Sequence, residues 1–386
     1  MSKNLISNTR NLVFLLLGFT FPLSVALSNI LIILLAVLIL FEGSFFKKIQ
    51  KINSSKWMKS VLILWVMYII YFFIFGSFTD TFWLIKRISL LLLLPIFYCS
   101  SFSEKTIQKS VFAFLISMFL SSVIAIAENY GIINLHSTNE YAAFLRYTDH
   151  NVFLAFSLII SLYVLFRKKL ENKYRNIILF FISFYLFSLF TEGGKSGQLV
   201  FLFSIILFLI LLFKKKWKLL SLSLISVFVF SAIVYNTSDI VKNRFNYEAK
   251  NILQYRKSDR NILLKETIIL IKKNPIFGYG TGSFTDKFGL VNKEAQKVVS
   301  NQHKTPHNNY LYVWFELGIL GLIVFLSIFY FQIKELIKKA DGIFIILFPI
   351  MFLIIMLTDS YLFSQNTLVL YLFLSVITIN YQYKPS

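Results

Sequence analysis

The sequence has little of what soluble enzymes usually carry. Only 15% of its 386 residues are charged, whereas a soluble domain carries about a quarter. Cys99 is the single cysteine, so no disulfide can form within the chain, and thiol redox chemistry is not indicated. We interpret Cys99 as a small apolar side chain within a helix.

Several catalytic motifs are also absent. The four histidines are scattered, and neither they nor the cysteine show metal-ligand spacing. The sequence has no paired-carboxylate motif of the kind that holds a divalent metal on a sugar nucleotide, and no Walker loop indicates ATP use. We therefore expect no metal and no cofactor, and a reaction driven by an activated substrate.

What the chain has is apolar. Its residues are 57% hydrophobic, its mean hydropathy is +0.71, and it contains 44 Phe. Such a surface needs lipid as its solvent. The net charge of +21 could indicate nucleic acid, but Lys and Arg stand in short clusters between apolar runs, a pattern that orients membrane helices. We expect contact with membrane lipids and none with nucleic acid.

The apolar runs predict twelve membrane spans. Residues 11–41 resemble the start of a signal peptide, but the uncharged run is too long for one and indicates uncleaved spans. Pro22 and the polar pair Ser28 and Asn29 predict a tight hairpin of two short helices there. Later spans are expected near residues 61–77, 88–101, 110–128, 150–166, 176–191, 197–213, 219–235, 309–331, 343–358 and 367–381.

The charges predict the orientation of these spans. With the amino terminus inside, the short outer segments hold only Lys86, Arg87, Arg146 and Lys195, as the positive-inside rule requires. We therefore predict an all-α polytopic protein with both termini in the cytoplasm. It forms one transmembrane domain over residues 1–386, with a large, partly helical loop at 236–308 between spans nine and ten.

This outer loop is strongly basic. Residues 236–305 contain thirteen Lys and Arg against six acidic residues. Long loops do not follow the positive-inside rule, so the basicity does not contradict the topology. It does require another explanation.

A helix is predicted within the loop. Ser258 and Asp259 are typical of a helix start, and residues 274–275, Asn-Pro, of its end. Its expected apolar stripe consists of Leu264, Ile268 and Ile271. Arg260 lies four residues before Leu264 and therefore opens this stripe. An arginine in that position either pairs with an anion or extends to the membrane interface and binds nothing.

The next segment is NPIFGYGTGSF, residues 274–284. Its alternating glycines resemble a nucleotide loop only weakly, because neither a preceding strand nor a helix directly after it is evident. We instead predict tight turns that let the backbone approach a helix or a ligand.

His307 is the candidate base. Thr305 is predicted to cap the tenth span and Pro306 to occupy its first position, which places His307 in the first turn. The positive end of a helix favours a neutral imidazole and can bind an anion. The alternative is an interfacial histidine that contacts only water.

Three further charged residues are candidates. Glu316 is expected roughly 13 Å into the same helix, where it either serves the site or forms a structural ion pair with Lys86 or Arg87. Arg146 precedes the sixth span. Lys195 lies in TEGGKSGQ, a glycine-rich outer turn.

Taken together, these motifs resemble the bacterial O-antigen ligase and O-antigen polymerase superfamily. The resemblance covers most of the chain and is strongest in NPIFGYGTGSF, in TEGGKSGQ and in HNNYLYVWFELGILGL after His307, and weaker in LRYTDHNVFLAF. It implies transfer of a glycan from undecaprenyl diphosphate at the periplasmic face of the inner membrane, onto the lipid A–core of lipopolysaccharide or onto a lipid-linked glycan.

The resemblance also implies roles for residues. Arg260 corresponds to the family's essential arginine and His307 to its loop-end histidine, so both are expected to be catalytic. Arg146, Lys195 and Asn308 are expected to bind the diphosphate. The family usually has arginine where this chain has Lys195, and lysine lacks the bidentate fork. We expect a metal-independent, inverting ligase, with Glu316 as a possible supporting carboxylate.

Other functions fit the sequence as well. A polysaccharide polymerase has the same expected chemistry and differs in its acceptor. A transporter or lipid flippase also fits twelve spans, although carriers usually show two related halves. A non-catalytic assembly factor is a third alternative.

Overall fold

The computed structural model describes residues 3–76, 78–136, 141–167, 170–237, 242, 246, 259–291, 293–300, 303–339 and 341–381. Within these ranges the chain is mainly α-helical, as predicted, with one small antiparallel hairpin of β1 (Tyr141–Ala142) and β2 (Leu145–Arg146). The helices are α1 (Lys3–Thr20), α2 (Val25–Phe41), α3 (Phe45–Ser54), α4 (Lys56–Phe75), α5 (Thr81–Ser89), α6 (Leu93–Tyr98), α7 (Glu104–Asn129), α8 (Tyr147–Arg167), α9 (Asn172–Thr191), α10 (Lys195–Phe213), α11 (Trp217–Thr237), α12 (Asp259–Lys273), α13 (Phe284–Gly289), α14 (Lys293–Ser300), α15 (Asn309–Leu336), α16 (Gly342–Ile345), α17 (Leu347–Ile355) and α18 (Gln365–Asn380).

The apolar helices make this a multi-pass membrane protein. In the described ranges, seven helical segments are long and apolar enough to cross a bilayer, or up to eight if α2 and α3, bent by 107°, count as one span. Shorter apolar helices lie in α1, α11, α16–α17 and α18. The count of twelve spans and the side on which the loop lies stay predictions.

The predicted hairpin at the beginning of the chain is present. Its turn lies at Pro22, one of the two predicted positions, and not at Ser28 and Asn29. Helix α1 ends before Pro22, whose ring cannot continue a helix. The Ser24 hydroxyl then caps α2 by accepting a hydrogen bond from Leu27 N at 3.3 Å. Ser28 lies within α2 and donates to Ser24 O at 2.6 Å, so this polar residue is satisfied locally and does not break the helix.

The surface of the helices is apolar, and one helix lies at the centre. Phe73 and Phe228 expose 76% and 75% of their surface, which suits side chains that contact lipid. In contrast, 78% of the residues in the apolar stretch of α8 are buried. Helix α8 contacts α7, α9, α10, α17 and α18, so polar side chains at its start are enclosed by several other segments.

The loop helix α12 has the predicted bounds, beginning at Asp259 and ending at Lys273; Ser258 lies outside the described residues. The predicted apolar stripe is partly wrong, because Ile268 is 41% exposed. The buried face instead comprises Leu263, Thr267, Leu270 and Ile271. One residue turns a helix by about 100°, and the packing of α12 against α14 and α15 selects this neighbouring face.

The glycine-rich segment 274–284 crosses α15 in close contact. Gly280 N donates to Glu316 O at 2.9 Å, at a break in α15 where Gly318 adopts φ +66°. A Cβ atom on Gly318 would lie 1.9 Å from Ile276 O. The prediction that the glycines allow a close backbone approach to a helix is therefore confirmed.

Two acidic residues fasten the loop to the bundle. Asp80, between α4 and α5, accepts from Lys304 Nζ at 2.9 Å and from Thr285 Oγ1 at 2.7 Å. Asp286 in α13 accepts from Thr79 N at 2.8 Å. One of these contacts is made by an acidic residue of the bundle and the other by an acidic residue of the loop. Together they fix the described segment that leads to His307.

Candidate functional site

His307 lies just before helix α15 and not in its first turn, so the predicted capping by Thr305 and Pro306 is wrong. The helix begins at Asn309, and the side chain of Asn308 caps it by accepting from Tyr310 N at 2.9 Å and Leu311 N at 3.0 Å. Asparagine is preferred over threonine as the N-cap of a helix. His307 itself has φ +51°, a left-handed conformation that a right-handed helix excludes.

The cap occupies the side chain of Asn308. Besides the two bonds that its oxygen accepts, its Nδ2 donates to Leu357 O at 3.2 Å. These contacts fix the start of α15 against the segment between α17 and α18. The structure therefore assigns Asn308 a positioning function, and its contact with a diphosphate stays a prediction.

Both ring nitrogens of His307 have partners. Nδ1 lies 2.8 Å from Asp359 Oδ1, and Nε2 lies 3.1 Å from His303 Nδ1. His303 Nε2 lies 3.7 Å from Asp259 Oδ2. Two carboxylates and two imidazoles from three separate segments thus form one chain of contacts, with the imidazoles in the middle and a carboxylate at each end.

The electrostatics of this chain differ between its members. Burial opposes ionisation of Asp359, but the hydrogen bonds from His307 and from Ser360 N (2.6 Å), together with the charge of Arg146, hold its pKa below the ordinary value. Burial and the neighbouring His307 lower the pKa of His303, although Asp259 opposes this. At neutral pH Asp359 is therefore an anion and His303 is uncharged.

Arg260 reaches the same place from α12. Its Nη2 donates to Thr358 O at 2.7 Å, immediately before Asp359. The Arg260 side chain is exposed, and it acts electrostatically on Tyr361. The prediction that Arg260 and His307 belong to one site gains support from this geometry, because both contact the segment between α17 and α18.

Arg146 approaches from the β-hairpin. Its Nε lies 3.9 Å from Asp149 Oδ2, and 59% of its side chain is exposed. Asp149 is buried and accepts from Asn366 Nδ2 at 3.1 Å. Since Arg146 also acts on Asp359, the hairpin adds a fourth cationic group or imidazole to His307, His303 and Arg260.

Lys195 begins helix α10, and its side chain is exposed. The neighbouring Ser196 lies beside the phenol of Tyr361, two residues after Asp359. The start of α10 is held close to α8 by small residues, because a Cβ atom on Gly194 or Gly197 would lie within 2.3 Å of Asn151. The turn therefore brings the backbone at Lys195 to the Tyr361 side of the site.

Glu316 is held elsewhere. It is fully buried, and its Oε1 accepts from Gly282 N at 3.1 Å. Among the described residues no Lys or Arg pairs with it, so the predicted ion pair with Lys86 or Arg87 is wrong; Arg87 donates to Gln365 instead. One backbone N–H of the glycine-rich segment bonds this carboxyl group, whose Oε2 is buried without a hydrogen-bond partner among the described residues. Its catalytic support stays a prediction.

Sequence reasoning missed several participants, above all Asp359. An acidic residue in a short turn between two predicted spans is a usable signal, but nothing local indicates that His307 is its partner. A second pair was also missed, because His150 Nδ1 lies 2.7 Å from Glu192 Oε2 and its Nε2 lies 3.0 Å from Ser121 Oγ. This buried pair joins α7, α8 and the turn before Lys195.

The fold and the site define a multi-pass, mainly helical membrane protein with cations and imidazoles gathered at one end of its helices. Residues 178–326 match the family model described as O-antigen ligase. The matched segment includes Lys195, Arg260 and His307, whereas Arg146 and Asp359 lie outside it.

Two curated proteins are also similar. An O-antigen ligase of Salmonella typhimurium is 28% identical over 260 residues, which cover 63% of this chain and 60% of that protein. An uncharacterized protein of Haemophilus influenzae is 28% identical over 197 residues, covering 47% of this chain and 49% of that protein. The chain thus spans less than two thirds of either relative. These findings support the O-antigen ligase superfamily for this chain and confirm the resemblance of its motifs.

Proposed function

We propose that this protein is an inner-membrane glycosyltransferase that moves an undecaprenyl-diphosphate-linked glycan, an O-antigen, onto the lipid A–core of lipopolysaccharide. The observation that carries the proposal is the hydrogen bond between His307 and Asp359 with Arg260 bound to the adjacent carbonyl of Thr358. A base oriented by a carboxylate, beside an exposed guanidinium, is suited to hydroxyl attack on a phosphate-activated sugar.

His307 is the proposed general base. Asp359 accepts from Nδ1–H, which leaves the lone pair on Nε2. The acceptor hydroxyl approaches Nε2 in the place that His303 Nδ1 occupies at 3.1 Å, so His303 must move aside as the acceptor binds. The hydroxyl oxygen attacks the anomeric carbon and its proton passes to Nε2, while the bond from that carbon to the diphosphate oxygen breaks.

The cations bind the leaving group. Charge grows on the diphosphate as the bond breaks. Positive groups already in place therefore stabilise the transition state more than they stabilise the bound substrate. Arg260 is the principal candidate because its fork can hold two phosphate oxygens, with Arg146 and Lys195 in support. Undecaprenyl diphosphate then leaves, and His307 returns its proton to water.

We further propose that the transfer is inverting and independent of a metal. A single displacement inverts the anomeric centre, and the cations can neutralise the diphosphate that a divalent metal would otherwise neutralise. Transfer that is unchanged by a chelator, with a product of inverted anomeric configuration by NMR, is the expected result. Loss of transfer on chelation, restored by Mg²⁺, would contradict it.

We place the active site at the periplasmic face, with twelve spans and both termini in the cytoplasm. Residues 236–308 are the loop inserted into a single transmembrane domain. The positive clusters between the apolar helices support this orientation. Reporter fusions at the two termini and at Ser300 test it, since the termini and the loop must report opposite sides.

The decisive experiment supplies the purified full chain with lipid-linked glycan, with and without lipid A–core. Glycan on the core, and no reaction without core, is expected. Growth of lipid-linked chains without core would identify a polymerase instead. Movement of the lipid-linked glycan across proteoliposomes without any transfer would identify a transporter.

A further inference from the structure

A cavity of about 600 Å³ lies far from the candidate site, where helices α8, α10 and α15 end. Each of these helices begins at the site, and α10 alone has 19 residues, which corresponds to about 28 Å. The cavity therefore lies at the opposite end of the helices. No part of the proposed transfer uses it.

The cavity combines cations with apolar walls. Lys214, Lys215 and Lys216 line it where α10 ends, and the apolar lining comes from Phe166, Leu212 and Ile343 among others. All three lysines are exposed. Within the part of the chain that the structure describes, none of their ammonium groups has a hydrogen-bond or ion-pair partner.

Two other cations of the lining have protein partners. Arg167 pairs with Asp341 and lies over the Phe344 ring, 4.9 Å from its centroid. Lys339 Nζ donates to Thr378 O at 3.0 Å, at the end of α18, where helix carbonyls lack internal partners. These residues build the wall, and the three consecutive lysines supply uncompensated charge.

Charge that only orients the membrane helices does not explain this arrangement. The basic helix α3 provides a contrast, because Lys48 Nζ donates to Leu40 O at 2.7 Å and Lys51 lies over the Tyr98 ring at 5.2 Å. Cationic side chains of α3 thus contact the protein itself. Residues 214–216 instead form part of the lining of a cavity.

We propose that this cavity binds the phosphate headgroup of an anionic membrane lipid. Its position at the end of membrane-length helices matches the depth of lipid headgroups. The lysines meet the phosphate, and the apolar walls accept the beginning of the acyl chains. Basic pockets between membrane helices bind anionic headgroups in this manner.

The test measures lipid adducts of the purified, delipidated full chain by native mass spectrometry. The probes are phosphatidylglycerol, phosphatidylcholine and inorganic phosphate. One bound phosphatidylglycerol, at least tenfold tighter than phosphatidylcholine, is expected. Equal binding of the two lipids overturns the proposal, and so does inorganic phosphate that competes at a concentration similar to that of phosphatidylglycerol, because the site would then bind free anions.

Three variants separate charge from shape. Replacing Lys214, Lys215 and Lys216 by Gln weakens phosphatidylglycerol binding roughly a hundredfold, because each lysine near an anionic headgroup contributes about 1 kcal/mol. Ile343→Trp fills the cavity without changing charge and also abolishes the adduct. The matched control replaces Lys47, Lys48 and Lys51 by Gln, which removes equal charge and leaves binding unchanged.

Either of two further results would contradict the proposal. One is an α3 control that weakens binding as much as the cavity variant, and the other is an Ile343→Trp variant that binds like the parent. Size-exclusion profiles establish that each variant is folded. If the triple variant does not fold, Lys215→Gln replaces it, with an expected weakening of about fivefold.

Discussion

The two carboxylates that matter most in this protein, Glu316 and Asp359, have opposite surroundings. Glu316 is fully buried in α15 and accepts from a backbone N–H of the glycine-rich segment. The Asp359 side chain is 32% exposed, lies in a turn and contacts His307. The first carboxylate fastens one segment to another, and the second orients a side chain that can exchange protons.

This difference shows that burial alone is a poor guide to chemistry here. A carboxylate within a membrane helix is a functional candidate by default because its burial is costly. The glycine-rich segment offsets part of that cost, since Gly282 brings an N–H group to Oε1 of Glu316, whereas Oε2 has no hydrogen-bond partner among the described residues. Asp359 has the more ordinary position, yet its neighbours are the groups that a transfer reaction requires.

The largest effect is expected at His307. His307→Ala removes the proposed base, and transfer falls about a thousandfold, within the range of 10²–10⁴ for general base catalysis. The rate of glycan transfer to lipid A–core measures this. His136→Ala, which changes a half-exposed histidine paired with Glu128, is the control and keeps full activity. Equal losses in both variants would show that His307 has no special role.

The next effect is expected at Arg260. Arg260→Ala lowers transfer about a hundredfold, because one charged donor to the leaving diphosphate is lost. Arg260→Lys recovers only part of this, since lysine has no fork. Lys265→Ala on the same helix is the control. If Arg260→Lys were as active as the parent, a point charge would suffice and bidentate binding would be ruled out.

A smaller effect is expected at Asp359. Asp359→Asn lowers transfer about tenfold to a hundredfold, because the amide no longer orients the His307 ring as the carboxylate does. Loss of transfer in Asp359→Asn should therefore accompany an altered pH profile. An unchanged rate and profile would remove Asp359 from the mechanism.

The same variant tests the pKa of Asp359. The folded-state pKa lies below the ordinary value of 3.8, so ionised Asp359 stabilises the fold above that value. This contribution is lost as pH falls through the lower, folded-state pKa. The melting temperature of the parent should exceed that of Asp359→Asn near neutral pH, and the difference should shrink in acid. A melting-temperature difference that grows in acid would contradict a lowered pKa of Asp359 in the folded state.

The smallest catalytic effect is expected at Glu316. Glu316→Gln keeps an oxygen that accepts from Gly282 N, so transfer and melting temperature stay near the parent values. Glu316→Ala leaves that buried N–H without a partner, which costs about 1–3 kcal/mol of stability. A large loss of transfer in Glu316→Gln, with the melting temperature unchanged, would give Glu316 the catalytic support that its contacts do not indicate.

The sequence predicted most local features of the site. The bounds of α12 and the close turns of the glycine-rich segment follow from spacing and residue type. The grouping of Arg260 with His307 was predicted from their shared outer loop and from the resemblance of the motifs to a known family, and their role in one site stays a prediction. The start of α15 was predicted wrongly. Thr305 and Pro306 have residue types that suit a helix start, but the left-handed conformation of His307 prevents a helix from beginning there. The capping residue is Asn308, whose side chain also contacts a distant turn.

The sequence by itself determined the membrane class, the approximate positions of the apolar helices and the charged residue types available to the site. These depend on apolar runs and charge clusters that are local in the chain. Only the tertiary structure decided which acid serves which purpose. Asp359 lies 52 residues from His307 and Glu316 lies 34 residues from Gly282, and contacts over such separations depend on how the helices pack.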